Sequence, residues 1–335
     1  MNISEIAKRA KVSTATVSRT INGSDKVSPE TAKKVWKVVR AMGYHPSSYA
    51  RALVSGRSHL LGLIISDIVN PFFPELVKSF EDIAIQNGLE VLVANTGYSL
   101  ERMSLGVRRM MERKAEGVAV MTSEMEGDLI TQLETRHIPI VFLDTGRAGM
   151  RTSNIQVDYS QGIGEAVEHL VKLKHRRIGF ITGPLEHTSA VARREAFLAC
   201  LPRHKLSGNK NLVQVGNFQI DGGEAAMERL LSLDKPPTAV LTSNDLTAIG
   251  AMRAIRSAGL RIPEDISLVG FDDIAFSELT QPPLTTIRLS RQDLAEKAFD
   301  ALATMMRSKS QRGRKYKVET RLVVRGSTAS APRRV

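Results

Sequence analysis

Five residues near the amino end, Thr14, Ala15, Ser18, Arg19 and Asn22, carry side chains suited to reading the edge of a base pair. Arginine presents a donor fork that fits the two acceptors of guanine. Serine and threonine hydroxyls bond a base edge or a phosphate, and alanine lets a backbone approach closely. At 100° per residue the five fall within one arc of about 140° on a helix, with Val17, Thr20 and Ile21 opposite. Thr16 flanks the arc and joins the candidate contacts.

Such a face needs a helix held by its neighbours. Asn2 with Glu5 resembles a capping box, and Ile3, Ile6, Ala7 and Ala10 follow at helical spacing. Ser13 can cap the second helix over 14–22 after a turn at Lys11 and Val12, and Gly23 can end it in a left-handed conformation. Ser28 and Pro29 open a third helix, with Val35, Trp36, Val38, Val39 and Met42 expected inward and Gly43 as its stop. Three short helices around one small core make a helix-turn-helix unit, whose second helix enters a major groove. A bundle that only decorates another domain has the same periodicity, and charge favours DNA. Residues 1–60 hold 11 Lys/Arg against 3 Asp/Glu, whereas 61–306 hold 26 against 31. Residues 307–335 hold 10 against 1, and there "RSKSQRGRKYK" reads as a solvated tail.

Residues 45–58, "HPSSYARALVSGRS", have linker composition at both ends but helix formers in "SSYARALV", too few to be stable alone. Leu53 is there either an incidental residue of a tether or an apolar wedge for a minor groove.

From residue 60 apolar runs at 60–66, 89–95, 117–121, 138–143, 177–182, 237–242 and 266–271 alternate with helical stretches such as 75–86, 162–173, 222–231 and 246–258. That alternation predicts α/β lobes of parallel, doubly wound sheet, two of them by length. Ligands of such sheets bind beyond the carboxyl ends of the strands. Standing there are Asp67, Asn95, Thr96, Thr122, Ser123, Asp144, Gly183, Asn244, Asp245, Asp272 and Asp273, a polar set that also suits ordinary turns.

Other classes fit less well. "GIGEAV" at 162–167 lacks the third glycine and the leading strand of a dinucleotide site. The adjacent carboxyls of Asp272 and Asp273 point apart on an extended chain. Seven scattered histidines and the lone Cys200 offer no metal spacing and no disulfide. No catalytic activity, metal or other cofactor is expected. With no apolar run of membrane length and charges throughout "MNISEIAKRAKVS", the chain is expected to be cytoplasmic.

"ISEIAKRA", "VSTATVSRTIN" and "GYHPSSYARALVSGRS", in order and at the right spacing, resemble the DNA-binding head of the lactose and galactose repressor family of bacterial transcription regulators. The resemblance continues through "DIVNPFF", "FLDTG", "GPLEHTSAVARREAF", "TSNDLTAIGAMRA", "ISLVGFDD" and "PPLTTIR". It implies a periplasmic-binding-protein-like body whose lobes close around an effector. It also implies a hinge helix that orders on DNA, with Leu53 as the wedge and Ala50 and Arg51 beside it. By motif position Phe72 and Phe73 should cover the ligand, Asp144 and His187 should line it, and Arg193, Asn244 and Asp272 should make polar contacts, with Phe218 a further stacking surface. Such a set suits a polyol. Thr145, where a bulkier stacking residue could sit, and His187, where an Arg would favour an anion, leave a nucleobase or phosphorylated sugar open.

The family crosses between lobes three times. This divides the chain into a head at 1–45, a hinge at 46–58, a first lobe at 59–158 plus 288–318, a second at 159–287 plus 319–329, and a disordered tail at 330–335. Tetramer-forming members of the family carry a leucine-heptad tail, and "RGSTASAPRRV" has no such repeat, so the resemblance implies a homodimer. The sequence therefore predicts a ligand-responsive regulator, most simply a repressor, on a near-palindromic double-stranded operator, with a sugar as effector. The alternative is a cytoplasmic sugar- or nucleobase-binding protein whose basic head binds DNA non-specifically.

Overall fold

The computed structural model describes residues 2–21, 25–44, 57–122, 127–144, 148–206, 208–308 and 311–332. They form two compact units, residues 1–59 and 60–335. The first contains α1 (Ile3–Ala10), α2 (Thr14–Ile21) and α3 (Pro29–Ala41). Ile6, Ala7, Ala10, Val17, Val35, Val39 and Met42 share its core. Each fully buried Ile or Val contributes about 1.5–3 kcal/mol. Asn2 Oδ1 accepts from Glu5 N at 3.1 Å and Ser28 Oγ from Thr31 N at 3.4 Å, so both expected caps form. Gly43 has φ +58. Trp36 is 37% exposed rather than inward. One residue past Val35 it lies 100° off the stripe of 35, 39 and 42.

The second unit is built on eleven strands paired in the order β2-β1-β3-β4-β5-β11-β10-β9-β8-β6-β7. β1 (Leu60–Ile65), β2 (Glu90–Asn95), β3 (Gly117–Met121), β4 (Ile140–Leu143) and β5 (Thr152–Asp158) run parallel in the first lobe. β6 (Ile178–Thr182), β7 (Val213–Val215), β8 (Ala239–Thr242), β9 (Ser267–Asp272) and β10 (Thr285–Leu289) run parallel in the second. β11 (Lys315–Val323) joins them. Its residues 315–319 pair parallel with β5, and 320–323 pair antiparallel with β10. α4 (Phe72–Gln86), α5 (Leu100–Glu112) and α6 (Gly127–Thr135) follow strands of the first lobe. α7 (Tyr159–Lys172) leads from β5 into the second lobe, where α8 (Thr188–Cys200), α9 (Ile220–Leu231) and α10 (Asp245–Ser257) follow its strands. α11 (Arg291–Arg307) returns to pack on α4, β3, β4 and β5.

Alternation along each strand divides the core. Leu61, Leu63 and Ile65 of β1 join one cluster, which also takes in Leu241 and Phe271, while Ile64 faces a second one with Met103 and Val107. Gly162, in the "GIGEAV" stretch that lacks a dinucleotide fingerprint, is a packing glycine. A Cβ there would lie 2.4 Å from Ile287 and 2.6 Å from the Thr320 hydroxyl.

Two expectations at the carboxyl end fail. The basic segment read as a solvated tail enters β11, because Val318 and Thr320 alternate inward while its cations face out. The tail from 330 is docked at least to Ala331, whose N–H donates to Leu173 O at 2.8 Å. Among the described residues no helix is long and apolar enough to cross a membrane.

Candidate functional site

On the first unit, α2 turns Val17 and Thr20 inward and leaves Thr14, Ala15 and Arg19 exposed. Ser18 is half-buried. Ser13 Oγ accepts from Thr16 N at 3.1 Å and pairs with Thr16 Oγ1 at 2.9 Å, so Thr16 is partly spent on the cap. The predicted DNA-reading face is therefore an exposed strip of small side chains with one guanidinium. Asn22, Ala50, Arg51 and Leu53 lie outside the described residues, as do Ser123, Thr145 and the cap at Gly23.

In the second unit a cleft opens at the carboxyl ends of the strands of both lobes. Its unfilled volume is about 70 Å³, several waters' worth at the roughly 10–15 Å³ one water requires. The first lobe contributes Ser66, Asn70, Phe72, Phe73, Tyr98, Met121, Thr122, Leu143 and Asp144. Ser189, Arg193, Phe218, Asn244 and Asp272 come from the second, with Tyr159 and Leu289 at the crossings. Both lobes expose switch points here, β1 lying between β2 and β3, and β6 between β7 and β8.

The structure brings together seven of the eight predicted effector residues. Phe72 and Phe73 meet edge to face at 5.3 Å. Asp144, with φ +59, accepts from Val157 N at 2.8 Å and from the Tyr159 hydroxyl. Burial raises its pKa above the ordinary carboxylate value, against the pull of that hydroxyl. Asn244 caps α10, accepting from Thr247 N and donating to Phe218 O at 2.8 Å. Much of its amide is thus used in holding Phe218, itself at φ +65.

Arg193 is the hub. Its guanidinium lies 4.2 Å from the Phe271 ring centre and 5.1 Å from that of Tyr159, donates to Ser243 O, and stands 3.8 Å from Asp272. Arg193 thus pairs with a buried carboxylate and also lines the cleft. Burial carries the Asp272 carboxyl up to about 6 in spite of Arg193 and Arg291.

His187 departs from expectation. It is absent from the lining; its ring lies flat between Tyr98, at 5.0 Å, and Phe218, at 6.1 Å. It stands at the start of α8 and stacks on two rings that themselves line the cleft. Asp67 is likewise committed, accepting from Gln219 Nε2 across the lobes at 2.8 Å.

Sequence reading missed Tyr98, Tyr159 and Arg291. Arg291 donates to Asp272 O at 2.7 Å and pairs with Glu75 at 2.7 Å, tying the end of β9 to α4. Tyr159 directly follows the first crossing, which was a usable signal; nothing local marked the other two. Thr122 Oγ1 and Arg193 Nε are buried in the cleft lining with no hydrogen-bond partner among the described residues. Each such atom costs roughly 1–3 kcal/mol until something pairs with it.

Residues 2–47 match the model for bacterial regulatory proteins of the lacI family, and 167–328 match that for a periplasmic binding protein-like domain. The HTH-type transcriptional repressor PurR of Klebsiella pneumoniae subsp. pneumoniae is 34% identical over 332 residues, 98% of this chain and 97% of the relative. The lac repressor dimer bound to operator and the anti-inducer ONPF superposes with a TM-score of 0.86 at 29% identity, covering 98% of this chain and 99% of the other. The complex of the transcriptional regulator CelR with cellobiose gives 0.73 at 27% identity, with the same coverage.

Proposed function

The chain belongs to the lacI family of bacterial regulatory proteins and is a transcriptional repressor rather than an enzyme, and we propose that a sugar bound between its lobes controls it. The observation carrying this reading is the pair of partnerless buried atoms, Thr122 Oγ1 and Arg193 Nε, in a cleft that also presents two carboxyls. A neutral polyol supplies both donors and acceptors to such groups, and its C–H faces meet Phe72, Phe73 and Phe218. The lac repressor and CelR structures bind ONPF and cellobiose, which agrees in ligand class for CelR. A planar nucleobase is the second reading, favoured by the flat Phe218 ring, whose plane lies 14° from that of His187, and by the similarity to PurR.

On DNA a cytoplasmic homodimer sets two copies of α2 into major grooves. Arg19 reads a guanine, and paired Leu53 side chains wedge the central step from a hinge at 46–58. Closing or opening the lobes alters the start of β1 and so the hinge. The test is a thermal-shift panel of D-ribose, D-glucose, D-galactose, cellobiose, glucose 6-phosphate, adenine and hypoxanthine, with every hit repeated in operator binding. A sugar that raises the melting temperature and changes operator affinity is the expected result. A response to the bases alone moves the assignment to the second reading.

A further inference from the structure

Directly behind the cleft lies Asp245, the first residue of α10, fully buried and making no contact with the cleft space. Its Oδ2 accepts from Ile274 N at 2.9 Å and Ser277 Oγ at 2.7 Å, and its Oδ1 from Thr286 Oγ1 at 2.5 Å. Gly270 makes room for it, since a Cβ there would lie 2.1 Å from Oδ1. One carboxylate thus ties together a helix start, one strand, β10, and the turn that leaves β9. That turn is unusual: Asp272 and Asp273 are consecutive non-glycine residues at φ +108 and +58. Such conformations persist only where surrounding bonds over-determine them. Asp273 is anchored on one side by Arg288 and Arg325, and Asp245 holds the other side through Ile274.

Resting on the reading of the cleft as an effector site, we infer that Asp245 is a positioning residue for ligand recognition: it fixes the left-handed turn from which Asp272 faces Arg193 and the cleft. It never touches the ligand. Asp272 is faced by Arg193 from α8, Arg291 from α11 and Asp245 from α10, with Asp144 and Tyr159 beyond Arg193. The Asp245 carboxyl is held higher than that of Asp272, so it is largely protonated while Asp272 titrates, and its task beneath the turn is one of shape rather than charge. Burial chiefly, and Asp272 next, hold the Asp245 carboxyl up to about 7.

Two variants of the full chain test this. Asp245→Asn keeps an acceptor for Ile274 and Ser277 and turns its amide toward the Thr286 hydroxyl, which can rotate to accept, so the fold survives. Hydrogen exchange of the Asn variant across 271–279 should therefore match the wild type. In calorimetric titrations with D-ribose, D-galactose and cellobiose, its affinities should stay near the wild-type values. Asp245→Ala should speed hydrogen exchange across 271–279 while leaving β6 protected, and should weaken sugar binding at least tenfold. Unchanged exchange in the Ala variant, or an Asn variant that exchanges across 271–279 as fast as the Ala variant, overturns the assignment. Failure of all three sugars to bind the wild type overturns the sugar reading instead, and the exchange results still decide the role of Asp245.

Discussion

Replacing Asp272 by Asn should make the body more stable at neutral pH while removing its response to sugar. The carboxyl is held at about 6 in the folded protein, against an ordinary 3.8. The unfolded chain releases this proton near pH 4 and the folded chain near pH 6. The folded state therefore holds the proton longer, and stability present below pH 4 is lost as pH rises toward 6 and is flat above. Two units at roughly 1.4 kcal/mol each put the loss at about 3 kcal/mol, already net of attraction to the arginines. Asparagine mimics the protonated form and never incurs that loss. Relief of Asp245 from a like charge adds in the same direction. Urea unfolding of both proteins from pH 4 to 8 should give a difference near zero at pH 4 that grows to about 3 kcal/mol above pH 6, or roughly 5–10 °C in melting temperature at this size. A difference independent of pH, or an Asn variant less stable at pH 8, would refute the claim that this carboxyl is kept buried for ligand binding at the expense of stability.

Arg19→Ala should cost about 1–3 kcal/mol of discrimination between the operator and a site with the contacted guanine replaced; competition binding would expose an equal loss on all DNA, which contradicts base reading. Gly183→Ala would set a Cβ 2.2 Å from the Phe218 ring, so calorimetry should report at least tenfold weaker sugar binding while fluorescence anisotropy reports unchanged operator affinity. Leu53→Ala should weaken operator binding and leave sugar affinity of the DNA-free protein as it was; wild-type operator affinity would return the segment to a plain tether.

The apolar strands of the two lobes were readable because buried parallel strands are continuous runs of Val, Ile and Leu, as in "LLGLII" and "SLVGF". The crossing strands were not. β5 begins Thr152, Ser153, Asn154, all buried yet polar, and β11 alternates cations with inward residues. At the cleft, Asp144, Asn244 and Asp272 were legible as polar strand ends. What they do locally was not, since bonds such as Asn244 to Phe218 O and Asp144 to the Tyr159 hydroxyl join residues 26 and 15 positions apart. Asp245 stood in the same polar set, and only the turn it holds separates its task from that of Asn244 beside it. Arg291 gave no signal because its role comes from bridging Glu75 and Asp272 O, which only the assembled lobes bring together.

The most direct test of effector control is operator affinity of the full-length protein, by fluorescence anisotropy, with and without a saturating sugar from the panel. The account predicts a change in operator affinity and, by linkage, an equal factor in sugar affinity when operator is present. A sugar that binds and stabilises the body but leaves operator affinity untouched would contradict it.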